Sequence, residues 1–301
     1  MELNENAQID TGQVRDTRGS GGGLGGLGGI PIPMGGRGGI VGLVVLALMV
    51  LGGFVGGNAL LGGSEADNAE LNQACSTANP DRLERLDCRN ALYVNSIQAY
   101  WRAALPERMN TPYQPADTVF FSQAVQTGCG SASSGAGPFY CPVDDQVYID
   151  LAFYQELSSR FGASGEFAQP YVLAHEYGHH VQDLVGTEAL VRRKMERDPD
   201  HANAYSVMLE LQADCYAGVW TKHATQTTDA AGVPIFQQVT QQDINQALEA
   251  AAAVGDDAIT GSSDESNFTH GSSAQRQHWF GQGYQSGDPN ACNTFGSALN
   301  G

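Results

Sequence analysis

The sequence is poor in basic side chains. Its 301 residues contain 15 lysines and arginines against 33 aspartates and glutamates, a formal net charge of −18 at pH 7. A surface of this sign repels phosphate backbones, so we expect no nucleic-acid partner. The sequence also contains no internal repeat, which argues against a repeat architecture.

Cysteine is absent from the amino-terminal quarter of the chain, and all six cysteines lie between Cys75 and Cys292. This distribution is typical of a carboxy-terminal part that folds in an oxidising compartment. We favour two local disulfides, Cys75–Cys88 and Cys129–Cys141, which leaves Cys215–Cys292. Cys215 is therefore expected to form half of a disulfide rather than to bind a metal or act as a nucleophile.

Long apolar runs are scarce, with one exception. Residues 19–39 are rich in glycine, and residues 40–61 are uncharged and mostly apolar. A run of this length can cross the roughly 30 Å hydrocarbon layer as a helix. A cleaved signal peptide is the alternative, but a long glycine-rich leader precedes the run and no A-x-A-like site follows it. The sequence predicts a glycine-rich tail over 1–39, a transmembrane helix over 40–61 and one folded domain over 65–301, with everything before residue 65 outside any core.

The cationic residues near this run predict its orientation. Arg15, Arg18 and Arg37 precede it, and the next lysine or arginine after it is the distant Arg82. Cationic flanks stay on the cytoplasmic side. We therefore expect a single-pass protein of the inner (plasma) membrane, with a cytoplasmic amino terminus and an extracytoplasmic domain.

The sequence HEYGHH at 175–180 contains an H-E-x-x-H zinc signature. On a helix, His175 and His179 are four residues apart, so both imidazoles can reach one ion. Glu176 is displaced around the helix and can serve as a proton acceptor beside the ion rather than as a ligand. His180 lies on a different face and is not expected to be a ligand.

A catalytic zinc ion needs a third protein ligand and an open position. Glu210, in the sequence ELQADC at 210–215, is the natural third ligand, and Asp214 follows one helical turn later on the same face. Asp214 is expected to accept the second N–H of a ligand histidine and fix its orientation. The alternative for Glu210 is an ordinary surface carboxylate.

The pattern of apolar residues predicts a mostly helical α+β fold with a few short strands. Strands are expected over 118–121 and 146–150, and the latter is our candidate for an edge that pairs with an extended substrate. The predicted helices span residues 79–105, 150–161, 167–185, 201–224, 238–254 and 273–285.

Four long motifs resemble the neutral zinc metallopeptidases, a bacterial family of membrane-anchored, gluzincin-like proteins. They are GPFYCPVDDQVYIDL at 137–151, HEYGHHVQ at 175–182, ELQADCYAGVW at 210–220 and THGSSAQRQHWFGQG at 269–283. The resemblance implies a zincin-like metallopeptidase domain that binds Zn²⁺ through His175, His179 and Glu210, with Glu176 as the catalytic carboxylate. His270 lies in the last motif, where it is either a donor to the oxyanion or a plain loop histidine.

These observations support two hypotheses of different kinds. The first is a zinc peptidase that hydrolyses peptide or protein substrates with a Glu general base. The second is a catalytically idle, membrane-anchored scaffold that keeps the metal for structure. A structural zinc would require a fourth protein ligand, for which Cys215 or His270 would have to serve. An intramembrane protease is disfavoured because the zinc motif lies far beyond the apolar run, and the sequence gives no indication of oligomeric state.

Overall fold

The protein folds as a helical α+β domain, as predicted, in a computed structural model that describes residues 1–18 and 68–299. Its α-helices are α1 (Ala69–Ala74), α2 (Leu86–Met109), α3 (Phe153–Ser159), α4 (Ala168–Leu184), α5 (Thr187–Arg197), α6 (Ala202–His223), α7 (Gln241–Ala253), α8 (Asp256–Thr260) and α9 (Ser273–Ser286). Its strands are β1 (Glu2–Leu3), β2 (Val14–Asp16), β3 (Asp117–Phe121), β4 (Ala124–Thr127), β5 (Gly130–Ser133), β6 (Phe139–Cys141), β7 (Gln146–Asp150) and β8 (Phe236–Gln238).

Most predicted helices are confirmed, and α3, α4, α6, α7 and α9 begin and end within three residues of their expected limits. Helix α7 begins with a capping box, in which Thr240 and Asp243 each accept from the other's backbone N–H. The helix expected from residue 79 begins instead at Leu86, because the segment before it folds into turns. One of these turns is held by Asn79, whose side-chain amide donates to Ala74 O over 2.7 Å.

The main sheet has the strand order β2-β3-β7-β6. Strands β2, β3 and β7 are parallel, and β6 runs antiparallel to β7. The predicted strand at 146–150 is therefore β7, but it lies inside the sheet. The prediction that it forms the exposed edge is wrong, because the segment Phe139–Cys141 pairs alongside it and takes that position.

Helix α6 packs closely between α4 and α9 because small residues lie at both crossings. A Cβ on Gly178 of α4 would lie 2.9 Å from Cα of Ala213, and one on Gly218 would lie 2.1 Å from Phe280 O of α9. Any larger side chain at these two positions would force the helices apart. The close packing of α6 on α4 brings the side chains of α6 near the HEYGHH segment of α4.

The three predicted disulfides are confirmed. Cys75–Cys88, Cys129–Cys141 and Cys215–Cys292 are all present, and no cysteine of the chain is left free. The third joins α6 to the segment after α9 across 77 residues of chain.

Residues 1–18 belong to the folded domain, so the expectation that everything before residue 65 stays outside any core is wrong for this segment. Strand β1 pairs with β8, and β2 extends the main sheet beside β3. Ala7 and Val14 are buried in the main core at 0% and 2% exposure. The segment is polar and its strands are two and three residues long, so its own pattern gives no strand signal.

Within residues 1–18 and 68–299, no helix has the length and apolar character that a membrane crossing requires. The span predicted over 40–61 lies outside these described residues and stays a prediction.

Candidate metal centre

The two histidines of the HEYGHH segment lie side by side on helix α4. The imidazoles of His175 and His179 have centroids 4.9 Å apart. Both belong to one face because residues four apart on a helix are neighbours. The residue before β3 supports this helix, because the Tyr177 hydroxyl donates to Ala116 O over 2.9 Å.

Helix α6 brings Glu210 onto the two histidines. Glu210 Oε2 lies 3.1 Å from His175 Nε2, and Glu210 Oε1 lies 3.5 Å from His179 Nε2. Ligand atoms about 2.1 Å from a tetrahedral zinc ion are about 3.4 Å from one another. These three side chains therefore have the donor atoms and the spacing that suit zinc. Glu210 is 9% exposed, which argues against the ordinary surface carboxylate considered above.

Each of the two histidines is oriented by a partner at its other ring nitrogen. His175 Nδ1 lies 2.9 Å from Asp214 Oδ1, as the sequence predicted. His179 Nδ1 lies 2.9 Å from Gln182 Oε1, and the Gln182 amide nitrogen donates to Leu209 O on α6. Since an amide oxygen only accepts, His179 carries its proton on Nδ1 and leaves Nε2 free for a metal.

Asp214 is fully buried and receives four donors. Its Oδ1 accepts from the Tyr171 hydroxyl at 2.6 Å, from His175 Nδ1 and from Arg276 Nη2 at 3.0 Å, and its Oδ2 accepts from Arg276 Nε at 2.7 Å. Burial opposes ionisation, but Arg276 and His175 outweigh it and lower the pKa of Asp214. Arg276 comes from α9 and was not anticipated from the sequence. An ionised Asp214 holds the imidazole of His175 in one orientation.

Asp214 and Glu210 change the pKa of His175, and the histidines change the pKa of Glu210. Burial alone would lower the pKa of His175, but Asp214 and Glu210 raise it to about 10 in the metal-free protein. The pKa of Glu210 is well below its usual value, because the nearby histidines outweigh its burial. At neutral pH a zinc ion must therefore displace a proton from His175, so zinc binding should release protons and weaken as the pH falls.

Replacing Arg276 with methionine should weaken zinc binding by about 10- to 100-fold, because Asp214 would lose the counter-charge that keeps it ionised and oriented toward His175. Arg276→Lys should lose less zinc affinity, because lysine retains the positive charge but cannot form the bidentate contact with Asp214. Zinc affinity is measured by competition with a chromophoric chelator, after circular dichroism has shown that the variants fold. Arg192→Met is the matched control, because Arg192 lines the same cleft and pairs with Glu188. A folded Arg276→Met protein with the zinc affinity of the wild type would contradict the role given to Arg276.

The three candidate ligands line a cleft with largely apolar walls. Glu176 faces this cleft and is 8% exposed, and burial raises the pKa of its carboxyl group. The apolar wall residues include Pro138, Phe139, Phe153, Phe161, Val172, Met195, Leu209, Val254 and Ile259. A cleft of this composition can accept an extended peptide and exclude water from the reacting group.

His270 lies in the same cleft and is held by Asp256 at the start of α8. Its Nδ1 is 3.2 Å from Asp256 Oδ1, while Asp256 Oδ2 accepts the backbone N–H groups of residues 269, 270 and 271 at 2.7 to 3.0 Å. Such a carboxylate fixes both the loop and the imidazole. His270 is therefore brought beside the predicted metal site, with its side chain 16% exposed.

Cys215, considered above as a fourth ligand, and His180, not expected to be a ligand, both have other partners. Cys215 is bonded to Cys292 and has no thiolate to offer a metal. His180 bonds Gln114 O at 2.7 Å and the Tyr140 hydroxyl at 3.1 Å, away from the other histidines. In the described part of the chain, the group around His175 therefore contains three potential ligands, and Cys215 does not supply the fourth that a closed structural site needs.

Comparison with known protein families finds one family whose sequence model matches this chain. The family described as "Putative neutral zinc metallopeptidase" matches residues 4–295. An uncharacterized protein of Mycobacterium bovis is 46% identical over 239 residues, which cover 77% of this chain and 78% of that protein. The uncharacterized protein YpfJ of Escherichia coli K12 is 38% identical over 278 residues, which cover 88% of this chain and 92% of that protein. No solved structure matches the chain.

Proposed function

Because the chain belongs to the neutral zinc metallopeptidase family, we propose that it is an active zinc-dependent peptidase that hydrolyses peptide bonds. The observation that carries this proposal is the position of Glu176. It lies in the cleft beside three side chains whose donor atoms are all within 4.8 Å of one another. A purely structural metal site has no use for an acidic side chain at that position.

The reaction requires a base, an acid and stabilisation of the developing charge. A zinc ion bound by His175, His179 and Glu210 would lower the pKa of water and polarise a peptide carbonyl as a Lewis acid. Glu176 accepts the proton of the attacking water and then transfers it to the nitrogen of the leaving amine. Burial raises the pKa of Glu176, which makes its carboxylate a stronger base for the first step.

His270 is the proposed donor to the oxyanion. Asp256 accepts from its Nδ1–H, so the other ring nitrogen donates to a substrate in the cleft when His270 carries a proton on both nitrogens. A fixed donor of this kind stabilises negative charge that develops only in the transition state.

The substrate is proposed to bind along β6. This strand pairs with β7 on one side and is the edge of the four-stranded sheet, and Phe139 and Tyr140 line the cleft. The Tyr140 hydroxyl donates to Asp183 Oδ2 on helix α4 over 3.1 Å, which connects the edge strand to the metal helix. An extended peptide added to such an edge gains main-chain hydrogen bonds irrespective of its sequence.

We also propose that the domain lies outside the cytoplasm. This is supported by its three disulfides, since such bonds persist in oxidising compartments. The substrate is then a peptide or protein of that compartment.

A digest of a peptide library by the purified protein tests the proposed activity. Cleavage that stops on addition of a chelator is the expected result. The scaffold hypothesis predicts a protein that binds zinc and cuts no member of the library.

The His270→Ala variant should cleave a given peptide about 10²- to 10³-fold more slowly, the cost of losing one oxyanion donor. Its zinc affinity should stay that of the wild type, because His270 is not among the three candidate ligands. Initial rates and chelator competition measure the two quantities. His201→Ala is the control, since His201 is exposed and bonds Asp198. If His270 is a plain loop histidine, both variants will retain the wild-type rate.

A further inference from the structure

Residues 1–18 dock on the domain as an added peptide. Beyond the pairing of β2 with β3, Thr17 N donates to Phe120 O over 2.8 Å, and Asn4 N donates to Ile235 O over 2.9 Å near the pairing of β1 with β8. The segment therefore contacts the domain at two separated strands.

The domain buries polar side chains whose partners come from this segment. Arg82 is 3% exposed, and its Nη2 donates to Ala7 O over 2.8 Å and to Glu5 O. Asn95 is 5% exposed and forms two hydrogen bonds with the backbone of Asp10, at 2.8 and 2.9 Å. Buried polar groups are nearly always hydrogen-bonded, and leaving one without a partner costs about 1–3 kcal/mol. Without this segment, Arg82 and Asn95 would lose these hydrogen bonds, so they indicate a surface that binds residues 1–18.

The charges at the end of the segment are also bound by the domain. Arg18 Nη2 lies 2.7 Å from Asp87 Oδ2, and Arg15 Nη2 lies 3.6 Å from Asp117 Oδ2. Asn68 donates to Val14 O over 2.7 Å, and its Oδ1 accepts from Asp16 N at 3.0 Å. Two of the three arginines that favour a cytoplasmic amino terminus therefore pair with carboxylates of the folded domain, Arg18 with a buried one and Arg15 with an exposed one.

We propose that the surface formed by β3, β8, Arg82 and Asn95 is a docking site for residues 1–18 of the same chain, and that these residues share one compartment with the metal centre. A single membrane crossing between residues 18 and 68 would place them on opposite sides and leave the docking surface empty. The family match begins at residue 4, so the segment belongs to the sequence that the family shares. This inference does not depend on the peptidase activity.

Docking also connects the amino terminus to the cleft. Strand β2 forms one edge of the sheet whose other edge, β6, lines the cleft beside the metal helix. The sheet that presents the proposed substrate strand is therefore complete only when residues 14–16 are in place.

Crosslinking in intact cells tests the proposal with the full chain. Two cysteine pairs are introduced separately: Thr11→Cys with Asn72→Cys, whose native side chains are hydrogen-bonded, and Glu2→Cys with Gln238→Cys, which are partners in the β1–β8 register. An epitope tag followed by a specific protease site is inserted between residues 19 and 39, because the amino group of Met1 pairs with buried Asp243 and must stay unmodified. Free thiols are blocked before lysis, and the purified protein is cut at the inserted site and run on non-reducing and reducing gels.

We expect the tagged fragment to stay attached to the domain without reductant and to separate with reductant in at least one of the pairs. The four single-cysteine variants are the controls, and their fragments should separate under both conditions. If neither pair forms its disulfide in protein that retains the three native disulfides, residues 1–18 and the metal centre do not share one compartment. A disulfide between two chains, seen as a species of twice the mass, would contradict the claim that the docking surface binds residues 1–18 of the same chain.

Discussion

Replacing Glu176 with glutamine should reduce peptide cleavage by about 10²- to 10⁴-fold, the usual contribution of a general base. Glutamine has nearly the same size and remains polar, so the fold should persist. It cannot accept the proton of the attacking water. Because Glu176 is not among the three candidate ligands, zinc content should remain near one ion per chain.

The comparison needs kcat/KM for one substrate together with zinc content measured on the same samples. Glu188→Gln is the matched control, because Glu188 lines the same cleft but pairs with Arg192 at 2.6 Å. It should cleave at a rate close to that of the wild type. Equal cleavage by Glu176→Gln and wild type, at equal zinc content, would remove Glu176 from the mechanism.

Replacing Glu210 with alanine should abolish tight zinc binding and, with it, cleavage. The change removes one of three ligands and leaves two histidines, which cannot complete a catalytic site. The loss of zinc affinity should exceed the roughly 10- to 100-fold that follows from removing a hydrogen-bond partner behind a ligand. Glu210→Ala should therefore bind zinc more weakly than Arg276→Met.

Chelator competition ranks the variants, with Glu188→Ala as the control for loss of a cleft carboxylate. Thermal unfolding without metal separates loss of zinc from loss of fold. A folded Glu210→Ala protein that holds a full complement of zinc would exclude Glu210 as a ligand.

The residues that the structure brings together could be predicted only where local spacing carries the signal. His175, Glu176 and His179 follow from one helical turn, and Glu210 and Asp214 from a second. Gln182 lies three residues after His179 on the same helix, so its contact could have been anticipated from that spacing. Arg276 and Asp256 could not, since they reach Asp214 and His270 through tertiary packing of α9 and α8.

The elements of the fold could likewise be predicted only where the local sequence carries a signal. Helices α4 and α6 are 17 and 22 residues long and rich in apolar residues, and their limits were predicted closely. Strands β1, β2 and β6 are two or three residues long and exist because a partner strand lies beside them. Their sequences contain no complete alternation to detect. The docking of residues 1–18 was missed for that reason, and because the glycine-rich stretch after them suggested that no part of the amino terminus was folded.

Titration of metal-stripped protein with zinc, with cleavage and bound zinc measured in the same samples, tests the central claim most directly. We expect no cleavage in the stripped protein and a rate that rises in proportion to occupancy until one zinc ion is bound per chain. Cleavage by the stripped protein, or no cleavage of any library peptide at full occupancy, would contradict a zinc peptidase.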